Sequence, residues 1–351
     1  MRVLICDPAA FTPQYDHELA AGLARAGADV ELLTSHFRFG EAPAPDGYVR
    51  REAFYPWSSR AFRRSRLRLP LKALEHPLGM AQLARARADV VHLQWLAWPQ
   101  FDRLLLRVRA PMVLTAHDLL PRRSAGEQDL WRGLFDRFER LVVHSSRGRG
   151  QLAELGVPEA KLRVIPHPVF PSDPVRADDG NTVLALGMIR PYKGLGDAIE
   201  ATTRVDGARL LVVGDPMEQI DTHRAAAGDR AEWRLGYLPD TELDRALGES
   251  TVAVFPYRAE LDQSGALLRA LGAGVPAVVY DVGGLAEPVQ AFGAGRVVPA
   301  GDVTALTDAL RELLSDRAAL EHAREGARRA REELTWDRSA AAHLDLYRGL
   351  R

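Results

Sequence analysis

Arg190 and Lys193 stand three positions apart, between an apolar run from Thr182 to Leu186 and an amphipathic stretch beginning near Gly194. The run reads as a buried strand and the stretch as a helix. Cations at a helix start oppose the positive end of its macrodipole, at ~0.3–1 kcal/mol each. A doubly anionic ligand removes the conflict, because free amides and flanking cations together make a phosphate site. The chemistry implied is capture and charge neutralisation of a phosphate or diphosphate. Spacing alone equally allows two solvated surface cations.

Three further segments carry chemistry at the ends of apolar runs. Pro256 to Ala266 holds Glu260 and Asp262, then Ser264 as an N-cap ahead of Gly265. The amides there form a second positive cradle, and Gly265 lets a ligand approach the backbone closely. Asp281 to Glu287 repeats the pattern with Gly283 and Gly284, which alone is also a plain turn. Thr115 to Pro121 places His117 and Asp118 directly after an apolar run. A histidine there can bond a sugar hydroxyl or move a proton, or be purely structural.

Short apolar runs alternating with helical patterns position these segments, which implies parallel sheets with covering helices. The runs are 2–6, 29–34, 89–93, 112–116 and 141–144, then 182–186, 209–213, 252–255, 277–280 and 296–298. Between the two sets, the segment Val164 to Pro174 packs four prolines into the nine positions from 166 to 174 and reads as a semi-rigid extended linker. Two doubly wound α/β domains in tandem are implied, and 351 residues suit two cores better than one.

With 46 basic and 47 acidic residues, no global field recruits nucleic acid. The single cysteine, Cys6, lies in the first run, as a core thiol would. No run approaches the ~20 apolar residues of a membrane span. Met1 leads straight into a strand, leaving no room for a signal peptide, so the cytoplasm is expected. One local anomaly is Arg50 to Lys72, with eight basic residues against the single acid Glu52 and with Phe54, Tyr55, Trp57 and Phe62 among them. It reads as a docking surface for anionic lipid at the inner membrane face, as a site for a phosphate-bearing acceptor, or as a solvated basic surface.

The ordered fragments resemble the retaining glycosyltransferases of family 4. They are Thr115-Ala116-His117-Asp118, Val142-Val143-His144-Ser145, Val164-Ile165-Pro166-His167-Pro168, Gly187 to Gly194, Leu211-Val212-Val213-Gly214, Gly236 to Asp240, and Gln263-Ser264-Gly265 through Ala273-Gly274-Val275-Pro276 to Glu287. The resemblance implies a GT-B architecture, with two Rossmann-like doubly wound domains facing a cleft. Residues 1–168 would bind the acceptor, 169–335 the nucleotide sugar, and a helix over 336–351 would cross back to the first domain.

By that resemblance Arg190 and Lys193 grip the donor diphosphate and stabilise it as leaving group, and no metal or other cofactor is needed. Gly187, Asp262, Gln263, Ser264 and Gly265 complete the donor site. His117 lies near the transferred sugar, and Tyr15, Asp16 and Asp118 face a glycan, lipid-linked or small-molecule acceptor. This sequence departs from the family at two places. The later of two glutamate slots, eight apart, holds Arg269, which accepts no hydrogen bond from ribose. Glu260, flanking the earlier slot, is taken as the sugar-contacting carboxylate. The loop after the first strand is Pro8 to His17 rather than Gly-Gly. Two other readings share the fold: a nucleotide-sugar epimerase and a non-catalytic binding subunit.

Overall fold

The computed structural model describes residues 1–61, 68–120, 126–258 and 261–350. The chain divides into two compact units, Met1–Pro166 with Trp336–Arg351, and His167–Thr335.

Among the described residues, unit 1 contains seven parallel strands: β1 (Arg2–Asp7), β2 (Asp29–Ser35), β3 (Val49–Phe54), β4 (Val90–Leu93), β5 (Met112–Thr115), β6 (Arg140–Val143) and β7 (Leu162–Val164). Their order is β3-β2-β1-β4-β5-β6-β7, so the winding reverses between β1 and β4. Leu4, Cys6, Val91, Leu93, Leu114 and Val143 point from the strands into one core with Phe135 and Phe138, and Cys6 is fully buried. The last helix, Trp336–Arg348, packs on helix Pro13–Arg25. Arg25 pairs with Asp337 at 2.7 Å, and the Tyr347 hydroxyl bonds His92 Nδ1 at 2.6 Å.

The described residues of unit 2 form six parallel strands: β8 (Thr182–Leu186), β9 (Arg209–Gly214), β10 (Ala231–Leu235), β11 (Val252–Phe255), β12 (Ala277–Tyr280) and β13 (Gly295–Val298). Their order is β10-β9-β8-β11-β12-β13, with the reversal between β8 and β11. Alternate strand residues feed a core on each face of this sheet, Leu184, Leu211 and Phe255 on one side, Val183, Val212 and Val254 on the other. Among the described residues, no helix is long and apolar enough to cross a membrane.

Three strands add to those the sequence suggested: β3, β7 and β10. All three are edge strands, where charged side chains point to water and break up the apolar run. The proline-rich segment differs too. Val164 ends a strand, and the chain beyond Pro166 is docked on unit 2 rather than free. Val169, buried, donates its N–H to the Leu334 carbonyl at 2.9 Å. The basic segment opens as edge strand β3, and several of its cations are engaged within unit 1: Arg51 with Glu31 at 2.8 Å, Arg60 with Glu52 at 2.5 Å, and Arg50 with the Pro43 carbonyl. Phe62, Arg63, Arg64 and Arg66 lie outside the described residues.

Candidate functional site

Ligands of parallel sheets bind beyond the carboxyl ends of the strands, where the winding reverses. In unit 2 that place lies outside β8 and β11, and the loops there are bound to each other. Leu186 is followed by Gly187 at φ +108°, then by a 3-10 turn, Pro191–Lys193, and by Gly194 at φ +68° ahead of helix Leu195–Thr203. Gly194 is required twice over: its φ is left-handed, and a Cβ there would lie 2.0 Å from the Pro256 carbonyl oxygen. The Arg258 N–H donates to the Tyr192 carbonyl at 2.7 Å, joining the loop after β8 to the loop after β11. Asp197, buried on the helix, binds the Arg258 guanidinium through both oxygens and accepts from the Tyr280 hydroxyl at 3.0 Å. Sequence reasoning missed this anchor, because its three members lie on separate elements.

Lys193 folds back over Gly187. A Cβ on Gly187 would lie 2.9 Å from Lys193 Nζ and 3.3 Å from the Ala266 Cβ, so the ammonium sits beside the start of helix Gly265–Gly272. The same ammonium stands 5.0 Å from the centre of the Tyr257 ring. Burial pushes the Tyr257 phenol above its ordinary pKa, so it stays neutral, and its hydroxyl bonds Ser264 Oγ at 3.1 Å. Ser264 caps the helix by accepting the Leu267 N–H. Gly187, Lys193, Ser264 and Gly265 are thus brought together. Arg190 precedes Lys193 on the same loop, and its Nε is buried with no hydrogen-bond partner among the described residues. An orphaned buried cationic N–H calls for an anionic acceptor. Its guanidinium lies 3.8 Å from the Met188 sulfur, a weak acceptor.

Other expected donor residues hold the loop. The Gln263 amide oxygen accepts the Ser264 N–H at 2.9 Å, while its amide nitrogen donates to the Gly284 carbonyl at 3.2 Å. The Gly284 N–H returns to the Leu261 carbonyl, which ties the Gly-Gly turn to the β11 loop. Asp262 is fully buried in the same loop. Glu260 lies outside the described residues. Arg269 is paired within unit 2: its guanidinium meets Asp240 at 3.1 Å and stands 5.7 Å from the centre of the Phe170 ring.

In unit 1 the reversal lies outside β1 and β4. Asp7, at the end of β1 and fully buried, accepts the N–H groups of Ala9, Phe11 and Thr12, which curls the following loop around one carboxylate. Tyr15 and Asp16 lie inside, at 2% and 1% exposure. Burial raises the Asp16 pKa well above the carboxylate range, reinforced by Asp7 beside it. Tyr15 meets the His117 ring edge-on at 4.7 Å, and Trp95 stacks on that ring at 5.1 Å. Trp95 in turn donates its ring N–H to Thr12 Oγ1 at 2.9 Å. Asp118 lines the same pocket as Gln94, Trp95 and His117.

Two ring contacts bear on the tautomer of His117. His144 Nδ1–H donates to the Ile165 carbonyl at 3.0 Å, and burial lowers the His144 pKa to about 4, so its ring is neutral and Nε2 carries a lone pair. That lone pair faces His117 Nδ1 at 3.4 Å, which places a proton on His117 Nδ1. His117 Nε2 lies 3.0 Å from Gln94 Oε1, while the Gln94 amide nitrogen is buried without a partner among the described residues. Half a turn of that amide gives both groups a bond at once. Sequence reasoning found His117 but neither Gln94 nor His144 in this role.

Residues 14–173 match the family description "Glycosyltransferase Family 4" and residues 180–316 match "Glycosyl transferases group 1". A glycogen synthase of Mycobacterium tuberculosis (strain ATCC 25618 / H37Rv) is 31% identical over 290 residues, 74% of this chain and 69% of that protein. A D-inositol 3-phosphate glycosyltransferase of Mycolicibacterium smegmatis is 26% identical over 363 residues, 88% of this chain and 81% of that protein. Among solved structures, a sucrose-phosphate synthase from Thermosynechococcus elongatus shares the fold at TM-score 0.80 and 19% identity, over 100% of this chain and 99% of that one.

Proposed function

The chain belongs to the family 4 glycosyltransferases, with the two Rossmann-like units of the GT-B architecture, and from that premise we propose that it moves a sugar from a nucleoside-diphosphate donor to an acceptor hydroxyl with retained configuration. Unit 2 holds the donor and unit 1 the acceptor. The observation that carries this reading is the placement of Lys193 Nζ over Gly187, beside the helix start capped by Ser264. An ammonium and a helix start on one spot suit a diphosphate, and the unpartnered Arg190 Nε is a further donor on the same loop.

As the bond from the sugar C1 to the diphosphate oxygen breaks, negative charge grows on the leaving group, and these cations stabilise it. C1 bonds the acceptor oxygen, whose proton passes to the departing phosphate oxygen. His117 exchanges its Gln94 bond for a sugar hydroxyl at Nε2. Arg269, already paired with Asp240, leaves the ribose to other groups.

The test is release of nucleoside diphosphate from a panel of nucleotide sugars, with and without candidate acceptors. Acceptor-dependent release that survives EDTA is expected, because side chains carry the charge neutralisation. Release abolished by EDTA and restored by a divalent cation would refute that assignment.

A further inference from the structure

The floor beneath Lys193 extends past Gly187 along the carboxyl edge of the unit 2 sheet. Gly214, which ends β9, lies directly against Gly187: a Cβ on Gly214 would meet the Gly187 carbonyl oxygen at 2.1 Å. The Gly236 N–H, just past β10, donates to the Gly214 carbonyl at 3.1 Å. Neighbouring strands β8, β9 and β10 thus end in one strip of bare backbone, on which a ligand can lie close. The strip leads from the Lys193 ammonium towards Asp240, where helix Asp240–Glu249 begins.

A second line of contacts reaches the same residue. The Phe170 ring lies along helix Gly265–Gly272: a Cβ on Gly265 would stand 3.6 Å from Phe170 Cε2, and the Arg269 guanidinium stands 5.7 Å from the ring centre. Gly265 and Arg269, four positions apart, share one helix face. Arg269 meets Asp240 at 3.1 Å, with the guanidinium side chain 17% exposed and the carboxylate side chain 63% exposed. Asp240 does not cap its helix, because Pro239 holds the N-cap position and no side chain bonds there. An ion pair with so exposed a carboxylate stabilises the fold little. What it does is fix direction: a planar guanidinium, largely buried, holds one side of the carboxylate and leaves the rest to solvent. A carboxylate offers acceptor sites on both oxygens and no donor, so it repels phosphate and suits hydroxyls.

We propose that Asp240, held by Arg269, accepts the ribose hydroxyls of the donor, so that this chain selects ribonucleotides over 2′-deoxyribonucleotides. The assignment rests on the nucleoside-diphosphate reading of the same site. With the diphosphate on Lys193 and the start of helix Gly265–Gly272, the ribose is the next part of the ligand. The helix turn from Gly265 to Arg269, ~5.4 Å, is comparable to the span of a ribose with its linking oxygen. Charge-assisted bonds from two adjacent hydroxyls fit the two carboxylate oxygens. Asp240 is then the group that touches the ribose, and Arg269 is a positioning residue.

The test is calorimetric titration of UDP against 2′-deoxy-UDP, and of GDP against 2′-deoxy-GDP, into the full chain. For whichever base binds, the wild type should hold the ribonucleotide about tenfold more tightly. Asp240→Ala should bring that ratio to about one by weakening the ribonucleotide alone, whereas a merely structural residue would weaken both forms alike. Arg269→Gln should cut the ratio to about threefold, and an unmoved ratio there overturns its positioning role. Equal affinity of the wild type for the two sugars, or a preference that survives Asp240→Ala, overturns the proposal. If Lys193→Ala still weakens both forms in that case, the donor reading stands without it. Binding of neither base in either form overturns both.

Discussion

Units 1 and 2 share a winding plan and differ in what they place at their ligand edges. Unit 2 builds its edge from backbone: positive-φ glycines, a serine-capped helix, and loops so close that Gly194 has no room for a Cβ. Unit 1 builds its edge from buried side chains: Asp7, Asp16, Gln94, Trp95, His117 and His144. A backbone cradle suits a diphosphate, which any correctly placed N–H and cation can hold. A side-chain mosaic suits an acceptor, whose shape differs between enzymes of one fold.

The strongest way to break this contrast is Gly194→Ala. Its Cβ would meet the Pro256 carbonyl oxygen at 2.0 Å with a left-handed φ, so unit 2 should lose on the order of 3 kcal/mol. Urea unfolding checks it; a loss under about 1 kcal/mol means the loops can part, and the cradle is not rigid.

Titration tests the other unit. Burial holds His343 down to about 4, and its Nε2 has no partner among the described residues. The unfolded chain binds a proton near pH 6.5, so this group removes stability as pH falls from about 6.5 towards 4. His343→Leu should therefore gain about 2 kcal/mol on wild type between pH 7 and pH 5. Parallel pH curves would show that the histidine is not held neutral.

His144→Phe has the smallest expected effect. It leaves His117 Nδ1–H without its acceptor, so kcat should fall about tenfold with the donor KM unchanged. Nitrogen chemical shifts should show the His117 proton moving to Nε2. An unchanged tautomer and kcat would make His144 mere packing.

The same contrast explains what the sequence revealed. The unit 2 edge was legible because its devices are local: Arg190 and Lys193 within four residues, and Ser264 immediately before its helix. The interior strands showed as apolar runs, whereas edge strands β3 and β10 interleave charges such as Arg50, Glu52, Glu232 and Arg234, and β7 has only three residues. At the unit 1 edge, Asp7, Gln94, His117 and His144 come from four distant segments. Only the fold sets His144 against His117, and no spacing records that. Arg269 was visible as an anomaly, but its partner Asp240 lies 29 positions away, at the start of another helix.

The central claim is that Lys193 and the capped helix start beside it capture the donor's diphosphate. Calorimetric titration of UDP, GDP, ADP and TDP into the wild-type chain and into Lys193→Ala tests it most directly. At least one nucleotide should bind the wild type and bind the variant at least about tenfold more weakly, with the melting temperature little changed. Equal affinity in the two proteins, or binding of none of the four by the wild type, would contradict it.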